Sequence, residues 1–210
     1  MHIAVAGNIG AGKSTLAQKL AHHYNWDVFY ESVDDNPYLS DFYDDMNQWA
    51  FHLQVYFLST RIKQVLDIQA AQKTIIQDRT IYEDAVIFAR NLHASGHINQ
   101  RDYLNYLNLF DTMTGFVKPP DLLIYLRASM PTLVKRIEMR GRAYENNIKL
   151  EYLRKLGESY EDWISGYTRG KLLIINADEL DFVQKPEDLG KIIGMVDREF
   201  YGIFGSSREH

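Results

Sequence analysis

The sequence predicts an α/β protein with a doubly wound, five-stranded parallel sheet and helices on both faces. Three observations predict it: short β-rich apolar runs recur along the chain, longer stretches of helical periodicity separate them, and a glycine-rich loop joins the first run to the first helix. The expected strands are His2–Ala6, Val28–Tyr30, Thr74–Gln77, Leu122–Leu126 and Leu172–Ile175. The expected helices are Lys13–Tyr24, Asn47–Ala71, Ile81–Leu92, Gln100–Phe116, Met130–Arg140, Lys149–Gly166 and Pro186–Tyr201. Extra helices between the second and third strands count as an insertion, because no repeat, low-complexity linker or composition shift marks a boundary. Residues 1–204 are expected to form one domain, with 205–210 as a loose tail.

Composition narrows the function. In 210 residues, 46% are hydrophobic and 24% charged, enough to bury a sizeable core. Lys plus Arg (23) against Asp plus Glu (28) gives −5, so the surplus that non-specific nucleic-acid binding needs is missing. The absence of cysteine removes disulfides, thiolate catalysis and Cys-type zinc sites. The apolar start, Ile3–Ala6, is too short for a signal-peptide core or a membrane span and has no basic leader, so a cytoplasmic protein without a membrane partner is expected.

In open α/β sheets the ligand site lies beyond the carboxyl ends of the strands, so the residues just after each strand matter most. After the first come Gly7-Asn-Ile-Gly-Ala-Gly-Lys-Ser14, which fit G-x-x-x-x-G-K-[ST] between a strand and a helix. This is a phosphate-binding P-loop: N–H groups from the stretch including Gly7, Asn8, Gly10, Gly12, Lys13, Ser14 and Thr15 converge on phosphate oxygens at a helix N-terminus. Lys13 adds a mobile charge, and the Ser14 hydroxyl suits magnesium. The expected fold is therefore P-loop NTPase-type, with ATP and Mg2+ as ligands.

Glu31 follows the second strand on the same edge, where a carboxylate serves as general base toward an attacking hydroxyl or stands solvated in a loop. Asp78 and Arg79 follow the third. Asp78 suits magnesium held through water and Arg79 can bridge Glu31 and the transferring phosphoryl group, or the two form a structural ion pair. Lys135, Arg136, Arg140 and Arg142 crowd around Gly141 in an otherwise acidic chain, as an arginine-rich lid closing over a triphosphate or as cations favouring a helix C-terminus. His93 and His97 have metal-like spacing, but Ser95-Gly96 interrupts them, and they read as loop histidines. Asp34, Asp35, Asp41, Asp44 and Asp45 read as a solvated face and helix-start charge.

Taken together, these residues resemble the deoxynucleoside kinase family, P-loop enzymes that phosphorylate the 5′-hydroxyl of deoxyribonucleosides. The resemblance spans nearly the whole chain. Its specific parts are Gly7–Ser14, Glu31, Trp49 to Gln54 followed by Arg61, Asp78-Arg79-Thr80, the Arg136-x-x-x-Arg140-Gly-Arg142 lid and Glu151-Tyr152-Leu153. It implies that Glu31 is the base, with Arg79 its partner, and that Arg136, Arg140 and Arg142 surround the donor phosphates. It further implies that Tyr43 and Glu145 bind the 3′-hydroxyl, Gln54 grips the base edge, Phe88 stacks on the base, and Asp181-Phe182 touch the donor adenine. Arg61 and Asp84 match a pair found at the pocket floor in members using deoxycytidine and purine deoxynucleosides, so thymidine is discounted and deoxyadenosine or deoxyguanosine favoured. A homodimer is implied as well. Asp78 and Thr80 stand where the family more often has Glu and Ser. Two other readings share the loop. A nucleotide-dependent switch lacks support, since Asn176-Ala-Asp-Glu179 is not the Asn-Lys-x-Asp guanine motif, and a nucleoside-monophosphate kinase would need a site for the acceptor phosphate.

Overall fold

The computed structural model describes residues 1–31, 33 and 36–201. Asp34, Asp35 and the expected tail lie outside the described residues. Five parallel strands, β1 (His2–Gly7), β2 (Asp27–Phe29), β3 (Ile75–Asp78), β4 (Leu122–Arg127) and β5 (Lys171–Asn176), form one sheet in the order β2-β3-β1-β4-β5. Parallel pairing places Val5 beside Asp78 and Gly7 beside Leu126. The ends of β1 and β3 thus meet at the carboxyl edge of the sheet, where the phosphate loop begins.

The alternation within β1 explains the two cores. Ile3 and Val5 face a layer with Leu16 and Leu20 of α1 (Lys13–Tyr24) and with Ile192 and Val196 of α9 (Pro186–Tyr201). Ala4 and Ala6 face the other layer, with Leu53 and Phe57 of α3 (Met46–Ala70) and Leu156 and Tyr160 of α8 (Leu150–Ser165). A central strand buried on both faces must be apolar throughout, as β1 is after its first residue. Its small alanines leave room for the aromatic side chains of the second layer.

Most expected elements occur within two residues of their predicted ends. The exception is Ile81–Leu92, which is not one regular helix. A short α4 (Ile81–Glu83) leads into a π-helical segment, Asp84–Ala89, and then α5 (Arg90–Ala94). Such π turns are frequent at functional sites, and this one carries Asp84 and Phe88. Two further elements were unexpected: α2 (Leu39–Asp44) and a 3-10 turn, Ala143–Asn147, which follows α7 (Met130–Arg140). The Asp45 side chain accepts from the N–H groups of Asn47 and Gln48, capping α3, and Asp41 sits in the first turn of α2. Helix α6 (Gln100–Thr114) packs on α3. Among the described residues no helix is long and apolar enough to cross a membrane.

Candidate active site

The phosphate loop is built by backbone geometry that only glycine adopts easily. Gly10 has φ +83 and Gly12 φ +99. A Cβ on Gly10 would lie 2.8 Å from the Leu133 carbonyl oxygen, so the residue is required by space as well as by conformation. Lys13 is buried, and its Nζ donates to the Asn8 carbonyl at 3.1 Å. Burial, reinforced by nearby Arg79, lowers the ammonium to about 8 against the pull of Asp78, Glu31 and Glu83. The Ser14 hydroxyl donates to Asp78 Oδ2, while Asp78 Oδ1 is buried with no hydrogen-bond partner among the described residues. Two adjacent hard oxygen groups, one with an orphaned atom, fit Mg2+, which binds proteins through one or two carboxylates and keeps several waters.

Glu31 lies beyond β2 in a cluster of buried charge. Its Oε1 is 2.7 Å from Arg79 Nε and 3.1 Å from Arg61 Nη2, and among the described residues no protein donor reaches Oε2. Burial would raise this carboxyl, but Arg79, Arg61 and Lys13 overcome it and hold it down to about 2. Glu31 is therefore anionic at neutral pH, with one oxygen anchored. Behind it, Arg61 Nε donates to Asp84 Oδ2 at 3.1 Å and Nη1 donates to the Asp78 carbonyl at 3.1 Å. Burial raises Asp84 to about 6 despite the Arg61 guanidinium.

Arg79 is held in an uncommon conformation. Its φ is +72, a left-handed backbone that costs an L residue about 1–3 kcal/mol and persists where surroundings over-determine it. Its guanidinium lies over the Phe88 ring, 4.5 Å from the centroid, and Nη1 donates to the Tyr160 hydroxyl at 2.7 Å. Phe88 consequently shares its ring with a cation.

A cavity of about 230 Å³ opens in front of Glu31. It brings together the predicted residues Gly10, Lys13, Ser14, Glu31, Tyr43, Gln54, Asp78, Arg79, Asp84, Phe88, Arg140, Arg142 and Glu145. Gln54 is 2% exposed, and its Oε1 has no partner among the described residues. A buried amide left unsatisfied is costly unless a ligand completes it. Tyr43 stacks on Tyr144 with centroids 5.8 Å apart. A second cavity of about 670 Å³ adjoins it across the loop, lined by Gly10, Gly12, Lys13, Ser14, Thr15, Arg136, Arg140, Arg142, Asp181 and Phe182. The two share Gly10, Lys13, Ser14, Arg140 and Arg142.

Several predicted residues occupy other positions than expected. Gly7 and Asn8 line neither cavity: the Gly7 N–H donates to Glu83 Oε1 at 3.3 Å, and Asn8 Nδ2 donates to the Leu153 carbonyl at 3.0 Å. They brace the loop from beneath. Arg61 also lies behind the cavity wall rather than in it. Arg136 reaches the second cavity, yet its guanidinium is engaged by backbone, donating to the carbonyls of Ala11 at 2.7 Å and Ala177 at 2.9 Å. Arg140 forms an ion pair with Glu145, so two residues expected to bind different ligand groups hold one another here. The Asp181 carboxylate accepts from the N–H groups of Val183 and Gln184, and Phe182 is buried beneath Gly12. His93 Nδ1 shares a hydrogen bond with the Ile98 carbonyl and its ring stacks on Tyr103.

Sequence reasoning missed Glu83 and Tyr160, and named Tyr152 only within the Glu151-Tyr152-Leu153 run, without a role. Thr80-Ile-Tyr-Glu83 has capping-box spacing, a signal that marks Glu83 locally, and the structure contains that box. Nothing local marks Tyr160; both tyrosines enter from α8, where Tyr152 lines the cavity and Tyr160 packs behind it.

The profile of the deoxynucleoside kinase family matches residues 3–201. The chain is 38% identical over 196 residues to a deoxyadenosine/deoxycytidine kinase of Bacillus subtilis, covering 92% of this chain and 90% of that protein. A deoxyguanosine kinase of Lactobacillus acidophilus is 37% identical, with 92% and 88% covered. Among solved structures, deoxyadenosine kinase from M. mycoides with the products dCMP and a flexible dCDP superposes with a TM-score of 0.84 at 30% identity, over 94% of this chain and 99% of that one. The same enzyme with bound dATP gives 0.83 at 29% identity. Motif, sheet order and relatives agree across nearly the full chain: it belongs to the deoxynucleoside kinase family.

Proposed function

We propose that this kinase transfers the γ-phosphoryl group of ATP to the 5′-hydroxyl of a deoxynucleoside, preferring deoxyadenosine or deoxyguanosine, with deoxycytidine as the second choice. The observation that carries this reading is the Glu31 carboxylate, anchored among the described residues through Oε1, at the wall of a cavity it shares with Lys13. The other oxygen accepts the hydroxyl proton. Phosphoryl transfer depends mainly on positioning and charge neutralisation, so a carboxylate of low basicity suffices: it orients the nucleophile and collects the proton late.

Arg79 stands between this base and the phosphate loop, while Lys13 and Arg140 supply charge toward the donor phosphates. Gln54 takes the base edge with an amide that donates and accepts. Phe88 provides the stacking surface, and Asp84, set by Arg61, contributes the floor. Tyr43 and Glu145 take the 3′-hydroxyl, with Glu145 exchanging its Arg140 contact. Gly12, Thr15, Arg136, Arg142, Asp181 and Phe182 shape the donor side. Ser14 and Asp78 would hold Mg2+, which when bound neutralises the donor phosphates.

The assembly is a homodimer in the cytoplasm on this reading, formed by one domain per chain. The exposed Leu66 and Leu104, on the packed helices α3 and α6, give it an apolar component. An acceptor panel of the four deoxynucleosides with labelled ATP tests the assignment. Label should reach deoxyadenosine or deoxyguanosine most efficiently and thymidine least; transfer to deoxyadenosine monophosphate in preference to deoxyadenosine would overturn it. A sedimentation measurement giving a monomer at assay concentration would defeat the dimer.

A further inference from the structure

Glu83 and Tyr160 have no role in the scheme above, yet they join its two halves. Glu83 is fully buried. Its Oε1 accepts from the Gly7 N–H at 3.3 Å and from the Tyr160 hydroxyl at 2.7 Å, and lies 3.5 Å from Arg79 Nη1. Its Oε2 accepts from the Thr80 N–H at 2.7 Å. A capping box needs only the last of these contacts. The rest reach the first glycine of the phosphate loop and, directly and through Tyr160, the rear of the Arg79 guanidinium.

Tyr160 is also fully buried, and its hydroxyl accepts from Arg79 Nη1 at 2.7 Å while donating to Glu83. Arg79 is thus held at both ends of its guanidinium: Nε pairs with Glu31 by charge, out of hydrogen-bond alignment, and Nη1 donates to Tyr160. Its left-handed backbone, φ +72, needs such restraint.

We propose that Glu83 and Tyr160 are positioning residues for phosphoryl transfer, fixing Arg79 from behind and tying it to the phosphate loop so that base and donor cradle keep a common register. The inference rests on the deoxynucleoside kinase reading. Without the Tyr160 hydroxyl, Arg79 Nη1 retains only its long contact with Glu83. The guanidinium then samples orientations away from Glu31, and turnover falls because small misplacements are costly in transfer chemistry. Neither residue forms the cavity wall, so nucleoside binding should be spared.

Tyr160→Phe removes the hydroxyl and keeps the ring that stacks on Tyr125 at 5.9 Å. We expect kcat to fall about tenfold or more with the deoxynucleoside KM within about twofold of the parent. In an Arg79→Lys background the same change should cost nothing further, because it acts through Arg79. A folded Tyr160→Phe enzyme with parental kcat, a rise confined to KM, or an undiminished loss in the Arg79→Lys background would each overturn the proposal. Should Tyr160→Phe fail to fold, Glu83→Gln carries the same comparison, and failure of both to fold assigns the network to stability and overturns the proposal. A parent enzyme that phosphorylates no deoxynucleoside would strike the underlying reading instead.

Discussion

The two sides of the active site handle charge in opposite ways. On the acceptor side, Arg61, Arg79, Glu83 and Asp84 have side chains no more than 4% exposed, and each meets an opposite charge within 3.5 Å. Two guanidiniums and Lys13 face Glu31, Glu83 and Asp84, with Asp78 beside Lys13 as a fourth carboxylate. On the lid side, Arg140 and Arg142 are about one-third exposed and share a single carboxylate, Glu145. The first region is preorganised; the second carries a cationic surplus that an anion must complete. Breaking the former should therefore damage folding as well as chemistry, whereas breaking the latter should leave the fold intact and weaken the use of donor.

The largest expected effect tests the preorganised side. Arg61→Leu leaves Asp84 buried without its partner and removes one of the two anchors of Glu31, a change expected to cost about 3–5 kcal/mol in urea unfolding. A loss under about 1 kcal/mol would mean that water already serves those carboxylates. Next comes Glu31→Gln, which keeps shape but removes the proton acceptor; kcat should drop about 10²-fold or more, with a modest change in nucleoside binding. Full activity would remove Glu31 from the chemistry. On the other side, Arg140→Ala leaves Glu145 with Arg142 at 4.0 Å, and it should shift the unfolding midpoint less than Arg61→Leu while lowering kcat/KM for ATP about tenfold, the scale of one charge-assisted contact of ~1.4 kcal/mol. A folding defect as large as that of Arg61→Leu would erase the distinction between the two regions.

How far these regions were legible in the sequence follows from the same contrast. The phosphate loop, the lid arginines and the strand ends are local patterns, and the sheet places them at one edge without help from distant residues. The preorganised cluster depends on contacts across the chain. Arg61 meets Glu31 from thirty positions away, and Tyr160 reaches Arg79 across 81. The π-helical turn at Asp84–Ala89 is similarly hidden, because its apolar pattern is that of an ordinary helix. Resemblance to the family placed Arg61 beside Asp84, but it gave no warning that Arg61 also anchors Glu31 or that Asn8 and Gly7 face inward. The Arg136 guanidinium, expected among phosphates, instead links Ala11 to Ala177; backbone carbonyls of two loops supply partners that no single segment reveals.

The smallest effect sits where the two regions meet, at Lys13, which lines both cavities. Burial lowers its ammonium to about 8, so in the free enzyme the cation is lost as pH rises through that value. In kcat/KM for ATP, which reports the free enzyme, a basic limb should bend near pH 8, halving the value there and approaching a tenfold fall per pH unit above it. Bound phosphates favour the charged form, so at saturating ATP the limb in kcat should move to higher pH. Coincident limbs would mean that the ammonium does not meet the donor phosphates, and Lys13 would then belong wholly to the preorganised side.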